Sequence, residues 1–200
     1  DPALRYVRRN CSEPVATLNG DLVCSMCKLL ESLITPEMGC RFFEGGENNV
    51  KESDGQKLID KLVLFSLAWC IGGTMSYEGW EGFDQMLRAA FETAEKKVQM
   101  PMTGLVYDYW VDMKSEDSGE WKSFEEIIPN FEYDSTVPYF QLLVPSVDST
   151  RYAYVIKQLM KRDRPVFLTG VTGTGKTSVI SDTLARCAPL PEDDPENGMG

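Results

Sequence analysis

Residues 165–178 read PVFLTGVTGTGKTS, and this stretch decides the fold. Its first part, Pro165 to Thr169, is apolar and predicts a short buried strand. Gly170 to Thr177 then matches the pattern Gly-x4-Gly-Lys-Ser/Thr without a mismatch, and Ser178 to Cys187 predicts a helix. A strand, a glycine-rich loop and a helix in this order are typical of a phosphate-binding loop in an α/β domain.

The residue types of this loop suit nucleotide phosphates. Glycines let consecutive backbone N–H groups turn toward a phosphate, and the positive end of the following helix faces the same anion. Lys176 supplies a charge for the β- and γ-phosphates, and Thr177 offers its hydroxyl to Mg²⁺. The predicted binding residues are Gly170, Val171, Thr172, Gly173, Thr174, Gly175, Lys176 and Thr177. The alternative is a chance glycine-rich turn, which the preceding apolar strand disfavours.

Hydrolysis requires more than this loop. It needs an acidic residue on a later strand, and only 23 residues follow Thr177. We therefore predict that the chain binds nucleotide without hydrolysing it and holds no catalytic residue. The sequence contains no histidine, so a Ser–His–Asp or Cys–His mechanism is excluded as well.

Upstream of the loop the pattern is mainly helical. Apolar residues at helical spacing predict four helices, Asp21–Ile34, Gln56–Ile71, Trp80–Lys97 and Ser149–Lys161. Two β-rich runs, Leu105–Asp112 and Trp121–Ile128, predict a hairpin.

Prolines punctuate a connector between this region and the loop, at Pro129, Pro138 and Pro145. We place the domain boundary within it. Residues 1–131 are predicted to form a mainly α-helical lid or extension region with a small β element. Residues 132–200 are predicted to be the truncated start of a P-loop α/β domain. The chain begins with Asp1 and shows no basic-then-apolar leader, and we interpret it as a piece of a longer protein.

The charge distribution limits the partners. The chain has 31 acidic and 20 basic residues, a net charge of −11, and residues 1–137 hold 24 of the acids and 13 of the bases. A net-acidic surface repels the phosphate backbone, so we expect no nucleic-acid partner. No run reaches the roughly 18 apolar residues of a membrane helix, so we expect no membrane partner either.

Six cysteines allow two interpretations. Cys11, Cys24, Cys27 and Cys40 could form a four-thiolate zinc site. Cys24 and Cys27, however, lie within an amphipathic helical pattern, where buried thiols are ordinary. We therefore favour reduced cysteines in the core over a metal site.

Several stretches carry a family resemblance. Residues 138–152 read PYFQLLVPSVDSTRY, and the loop region from 165 to 180 follows them. Residues 65–74 read FSLAWCIGGT, with Gly82 to Asp84 after them, and residues 6–11 read YVRRNC, with Leu22 and Val23 after them. The segment 138–180 resembles the start of the third AAA+ module of dynein heavy chains, most closely the axonemal ones. The upstream stretches resemble the helical segment that joins the second and third modules.

This resemblance implies an α/β P-loop AAA+ module, of which only the N-terminal part is present. It also implies that the parent protein is an ATP-driven, minus-end-directed microtubule motor. The implied location is the cytoplasm and cytoskeleton, including the axoneme of cilia or flagella. The implied cofactors are ATP or ADP and Mg²⁺. The implied partners are the other AAA+ modules of the same chain, microtubules, and dynein intermediate and light chains. By family analogy the third site is regulatory. Val171 and Thr172 depart from the proline that relatives often carry after the first glycine.

Two other functions remain open from the sequence. The chain could belong to another P-loop family, such as a kinase or GTPase. It could also be a structural ring module that holds nucleotide without turnover, although an intact Gly175-Lys176-Thr177 disfavours this.

Overall fold

The computed structural model describes residues 2–35, 52–93, 98–114, 118–131, 133, 138 and 142–187. Its helices are α1 (Pro2–Asn10), α2 (Asn19–Leu33), α3 (Glu52–Cys70), α4 (Trp80–Thr93), α5 (Val147–Met160) and α6 (Lys176–Cys187). Its strands are β1 (Tyr109–Asp112) and β2 (Glu120–Ser123). Short 3₁₀ turns lie at Gly72–Thr74, Tyr77–Gly79, Val106–Asp108 and Phe124–Ile127. This helix-rich chain with a small two-stranded sheet agrees with the predicted fold class.

The predicted helices are confirmed, with ends that differ by a few residues. α5 begins before the predicted Ser149 because Ser146 caps it, with the Ser146 Oγ accepting from the Ser149 N–H at 3.2 Å. Residues 94–97, the predicted end of the third helix, lie outside the described residues. The sequence did not predict α1, which is too short to show a clear period and is held by the burial of Ala3 and Val7.

The core is built around α3, as its nearly all-round apolar second half predicts. Leu62, Leu64, Phe65 and Ala68 are almost completely buried there. Trp69 lies at the centre of an aromatic cluster. Its ring makes edge-to-face contacts with Trp80, Tyr107, Phe124 and Tyr152 at centroid distances of 5.7 to 6.4 Å.

The predicted hairpin is present but its strands are shorter. β1 and β2 pair antiparallel from Tyr109 opposite Ser123 to Asp112 opposite Glu120. The run before β1 is a 3₁₀ turn because the Asp108 carboxylate accepts from the Leu105 N–H at 2.8 Å. The run after β2 is also a 3₁₀ turn, capped by Ser123. Local side-chain bonds thus replace the strand pairing that β propensity alone predicts.

α5 packs both on the helical region before it in the chain and on α6 after it. On one side it contacts α2 and the two 3₁₀ turns beside the hairpin, and on the other it contacts α6. Tyr154 of α5 also contacts the aromatic core, because its ring lies 5.5 to 6.1 Å from the rings of Phe65, Trp110 and Phe124. α5 therefore joins the helical core to the helix that follows the glycine-rich loop.

The predicted buried strand at Val166–Thr169 is wrong for the structure described. This segment forms no strand, and Val166 and Phe167 are 38% and 82% exposed. A strand exists only where a neighbouring strand supplies hydrogen-bond partners, and no described segment pairs with this one. The chain reaches the segment through a turn at Asp163, whose φ is 52°, with the Arg164 N–H donating to the Leu159 carbonyl.

The prediction that the cysteines are buried is also wrong for Cys24 and Cys27, which are exposed on α2. The buried face of that helix is formed by Leu22, Leu29 and Leu33, so the periodic pattern was correct but its phase was misjudged. Cys40 lies outside the described residues. Within the described ranges no group of three or more His, Cys, Asp or Glu side chains could hold a metal ion, and no helix is long and apolar enough to cross a membrane.

Candidate phosphate-binding site

The glycine-rich loop has the backbone conformation that its sequence requires. Gly173 and Gly175 have φ values of 84° and 77°, in the left-handed region that favours glycine. A Cβ built on either residue would meet nothing within 4 Å. These glycines are therefore required for backbone conformation, and the space beside them is open.

α6 begins inside the motif, at Lys176. Its first turn is closed by the Val179 N–H, which donates to the Gly175 carbonyl at 3.0 Å. The N–H groups of Lys176, Thr177 and Ser178 precede this bond, in the part of a helix where N–H groups lack carbonyl partners of the preceding turn. Together with the helix dipole they make the start of α6 a place for an anion.

The Lys176 side chain folds back over the loop. Its ammonium group donates to the carbonyls of Gly170 and Val171 at 3.0 and 2.6 Å, and to the Thr174 hydroxyl at 3.2 Å. The Thr174 hydroxyl in turn donates to the Val171 carbonyl at 2.9 Å. The only strongly basic group of the motif is therefore fixed against the loop by the loop's own oxygens.

Gly170, the first glycine of the motif, lies beside the side chains of Thr174 and Lys176. A Cβ built on Gly170 would lie 3.7 Å from the Thr174 hydroxyl and 3.9 Å from the Lys176 ammonium nitrogen, so a side chain there would point at the two groups that organise the loop. The other predicted residues, Val171, Thr172 and Thr177, are exposed. The structure thus brings the eight predicted positions together in one loop, and these residues fit a nucleotide phosphate. The Thr177 hydroxyl, next to Lys176, is the oxygen ligand type that Mg²⁺ prefers.

α6 is held in place by α5. Thr183 is completely buried, and its hydroxyl donates to the Val179 carbonyl at 2.7 Å. On α5, Ile156 and Gln158 are buried. Because α5 and α6 pack against each other, the helix that begins at the loop is fixed to the rest of the described structure.

The sequence reasoning missed Arg151, which is 5% exposed on α5. Its guanidinium group donates to the Asp108 carboxylate at 3.1 Å, pairs with Asp148, and lies 4.8 Å from the centroid of the Trp80 ring. No apolar pattern in the sequence pointed to it, because Asp108 and Trp80, which contact its guanidinium group, are distant in the chain.

Comparison with known proteins assigns the two parts of the chain. Residues 1–126 match the family described as the dynein heavy chain AAA lid domain. The chain belongs to the dynein heavy chain family. Residues 131–191, which contain the loop, match the family described as the P-loop containing dynein motor region. The alternative of a kinase or GTPase family is therefore not supported.

Individual dynein heavy chains agree with this assignment. The chain is 31% identical to human dynein axonemal heavy chain 2 over 185 residues, which cover 90% of this chain. It is 27% identical to human dynein axonemal heavy chain 6 and 30% identical to a ciliary dynein beta chain of Heliocidaris crassispina, over 93% and 82% of this chain. The matched segment makes up only 3 to 4% of each of these three relatives. The chain therefore spans only a small fraction of the length of the curated relatives that it matches.

Proposed function

We propose that the chain is a nucleotide-binding segment of an ATP-driven, minus-end-directed microtubule motor. The observation that carries this proposal is the position of Lys176, folded over a loop with two left-handed glycines at the start of α6. The match of residues 131–191 to the P-loop dynein motor region supports it. The ligands are ATP or ADP with Mg²⁺, which is coordinated through the nucleotide and the Thr177 hydroxyl.

The lysine contacts suggest how the loop accepts a phosphate. The ammonium group has three protons, and three loop oxygens receive them. The contact to Thr174 is the longest and goes to a neutral hydroxyl. We expect a phosphate oxygen to take this proton, because a charged acceptor binds an ammonium more strongly. The two carbonyl contacts, to Gly170 and Val171, then keep the lysine in place.

We further propose that this site is the third ATP site of the motor and is regulatory. On this assignment residues 1–131 are the lid or extension between the second and third AAA+ modules, and 132–200 begin the third module. α5 supports a regulatory role, because it packs on α6 and on the helical core at once. A change in the loop can therefore reach the lid region through one helix.

The expected cellular setting follows from the relatives. The names of these relatives include axonemal and ciliary dyneins, so we propose that the parent motor works in the axoneme of cilia or flagella. Its partners would be the other AAA+ modules, microtubules, and intermediate and light chains. We propose that the 200-residue chain alone binds nucleotide without hydrolysing it, since the motif supplies no acidic residue to act on water.

A direct binding measurement tests the proposal. Titration of the 200-residue chain with a fluorescent ADP or ATP analogue and Mg²⁺ should show saturable binding. Lys176→Ala should weaken it by about 1 to 3 kcal/mol, in the range of a charged hydrogen bond. Lys114→Ala is the matched control, because it removes the same charge from an exposed position outside the loop. Equal affinity of Lys176→Ala and Lys114→Ala would contradict the proposed site.

A further inference from the structure

Two thiols share the solvent-facing side of α2. Cys24 and Cys27 are both exposed, and they are three positions apart on a helix whose opposite side is buried through Leu22, Leu29 and Leu33. Side chains three positions apart on an α-helix are surface neighbours. This pair takes no part in the nucleotide loop or the core, and nothing in the fold explains why two thiols are placed there.

The spacing of such a pair favours a bridging atom over a direct disulfide. Cβ atoms at i and i+3 of a helix are about 5 to 6 Å apart, whereas a relaxed disulfide needs about 3.5 to 4.5 Å. A central atom with bonds of about 2.3 Å to each sulfur allows the two sulfurs to stand about 3.5 to 4 Å apart. The helix can therefore offer both sulfurs to one atom without unwinding.

Among the described residues, the surroundings of Cys24 and Cys27 favour a site with two thiol ligands. Cys70 on α3 is partly buried, and its burial, with a smaller contribution from Cys27, raises the pKa of its thiol to about 12, which makes it a poorer thiolate ligand than the two exposed cysteines. In the described part of the chain no three such ligands come together. Cys187 on α6 is exposed but has no second cysteine three or four positions away in its helix.

We propose that Cys24 and Cys27 form a dithiol site for a thiophilic centre that takes two thiolates, in the first instance a monosubstituted trivalent arsenical. With an arylarsine oxide, two As–S bonds form and the As–O bonds break. The oxygen leaves as water with the two thiol protons. No atom changes oxidation state, so the step requires neither an oxidant nor a reductant. The site is independent of the proposed nucleotide function.

The test uses phenylarsine oxide on the reduced, folded 200-residue chain, with intact-mass analysis after removal of free reagent. We expect one arsenical per chain, which survives a wash with excess glutathione, a monothiol, and is removed by ethanedithiol. Tryptic cleavage after Arg9 and Lys28 should place it in the peptide 10–28, which carries Cys24 and Cys27 together with Cys11. This mapping on the unaltered chain does not depend on the folding of any variant.

Three variants assign the sulfurs. Cys24→Ser and Cys27→Ser should each abolish the glutathione-resistant adduct, because one thiol holds the arsenical only weakly. Cys11→Ser and Cys187→Ser are the matched controls and should retain it in full. Far-UV circular dichroism checks that each variant is folded, which we expect for serine at the exposed helix positions 24, 27 and 187 and for the small change at the partly buried Cys11. Retention in either Cys24→Ser or Cys27→Ser, loss in Cys11→Ser, or removal of the wild-type adduct by glutathione alone would each overturn the proposal.

Discussion

The guanidinium carbon of Arg151 lies 4.8 Å from the centroid of the Trp80 ring, and this contact ties α5 to α4. The same guanidinium binds the Asp108 carboxylate, and its Nε has no hydrogen-bond partner among the described residues. A buried cation is stable only when it is paired or stacked. Arg151 therefore attaches α5 to the aromatic core. The same helix also packs against α6.

Replacing this arginine should destabilise the fold. We expect Arg151→Ala to lower the free energy of unfolding by about 2 to 3 kcal/mol, because it removes the ring contact and leaves the Asp108 carboxylate without its cationic partner. The estimate is below the range for fully buried pairs, since Asp108 is partly exposed. Arg186→Ala, which breaks an exposed Asp182 pair within α6, should cost less than about 0.5 kcal/mol. Urea unfolding compares the two, and equal effects would refute a structural role for Arg151.

Two adjacent glycines should respond differently to the same substitution. A Cβ on Gly72 would lie 2.0 Å from the Tyr107 hydroxyl and 2.7 Å from the Phe83 ring, both in the buried core. A Cβ on Gly73 would meet nothing closer than 4.0 Å. We expect Gly72→Ala to cost about 2 to 3 kcal/mol by overpacking and Gly73→Ala to change stability by less than 1 kcal/mol. Thermal unfolding of both variants would reveal whether the aromatic cluster really closes on Gly72.

The loop glycines permit a test of conformation without a clash. Gly173 and Gly20 both have open space where a Cβ would stand, but only Gly173 has a positive φ. Gly173→Ala should weaken nucleotide binding, because the new residue strains the loop by about 1 kcal/mol. Gly20→Ala, in α2, should leave binding unchanged and stabilise the chain slightly. Calorimetric titration with ADP and Mg²⁺ measures the affinity of both variants. Unaltered affinity in Gly173→Ala would contradict the hypothesis that nucleotide binding requires the left-handed backbone at this position.

Alkaline pH should destabilise the chain in part through Cys70. Burial raises the pKa of this thiol from 9.0 to about 12, so the folded chain holds a proton that the unfolded chain has released. The stabilisation is complete below pH 9 and is lost as the pH rises toward 12, with a slope of at most about 1.4 kcal/mol per pH unit from this group. Burial also raises the pKa of Cys11 and of the tyrosine hydroxyls of Tyr107, Tyr152 and Tyr154, and these add to the loss.

The contribution of Cys70 is isolated by comparing slopes. Urea unfolding at pH 8.5, 9.5 and 10 should show a smaller decrease with pH in Cys70→Ala than in the wild type. Cys187→Ala, which removes an exposed thiol, should follow the wild type. A Cys70→Ala slope identical to that of the wild type would mean that the buried thiol does not titrate in this window.

The regulatory role requires the full-length motor. If bound nucleotide shifts the ring between two arrangements, Lys176→Ala should preserve assembly but slow release from microtubules or lower the velocity in single-molecule motility. A static site that holds ADP only for stability is the competing hypothesis. Unchanged velocity and release with an intact ring would leave the static site as the explanation, and nucleotide-exchange measurements on the same protein would then show slow turnover.

The sequence predicted the parts whose structure depends on local chemistry. The four upstream helices followed from apolar spacing, and the helix after the loop followed from the glycine-rich motif that precedes it. The sequence-based prediction failed where the structure depends on residues that are distant in the chain. The segment 166–169 has strand-forming residues but no described neighbour to pair with, and Cys24 and Cys27 face solvent because Leu22 and Leu29 set the phase of α2. Arg151 is buried because Asp108 and Trp80, which are far away in sequence, come to it.

The packing of α5 has a practical consequence for dividing this protein. The first family match ends at residue 126 and the second begins at residue 131, and the boundary that we propose from the sequence lies after residue 131. A chain ended there would lose α5, and with it the cover that Tyr152 and Tyr154 provide over Trp69, Phe65 and Phe124. We expect such a truncated chain to aggregate when expressed, because these aromatic side chains would be exposed to solvent. We therefore expect that a stable N-terminal fragment of this chain must extend at least to Met160, beyond residue 126 where its family match ends.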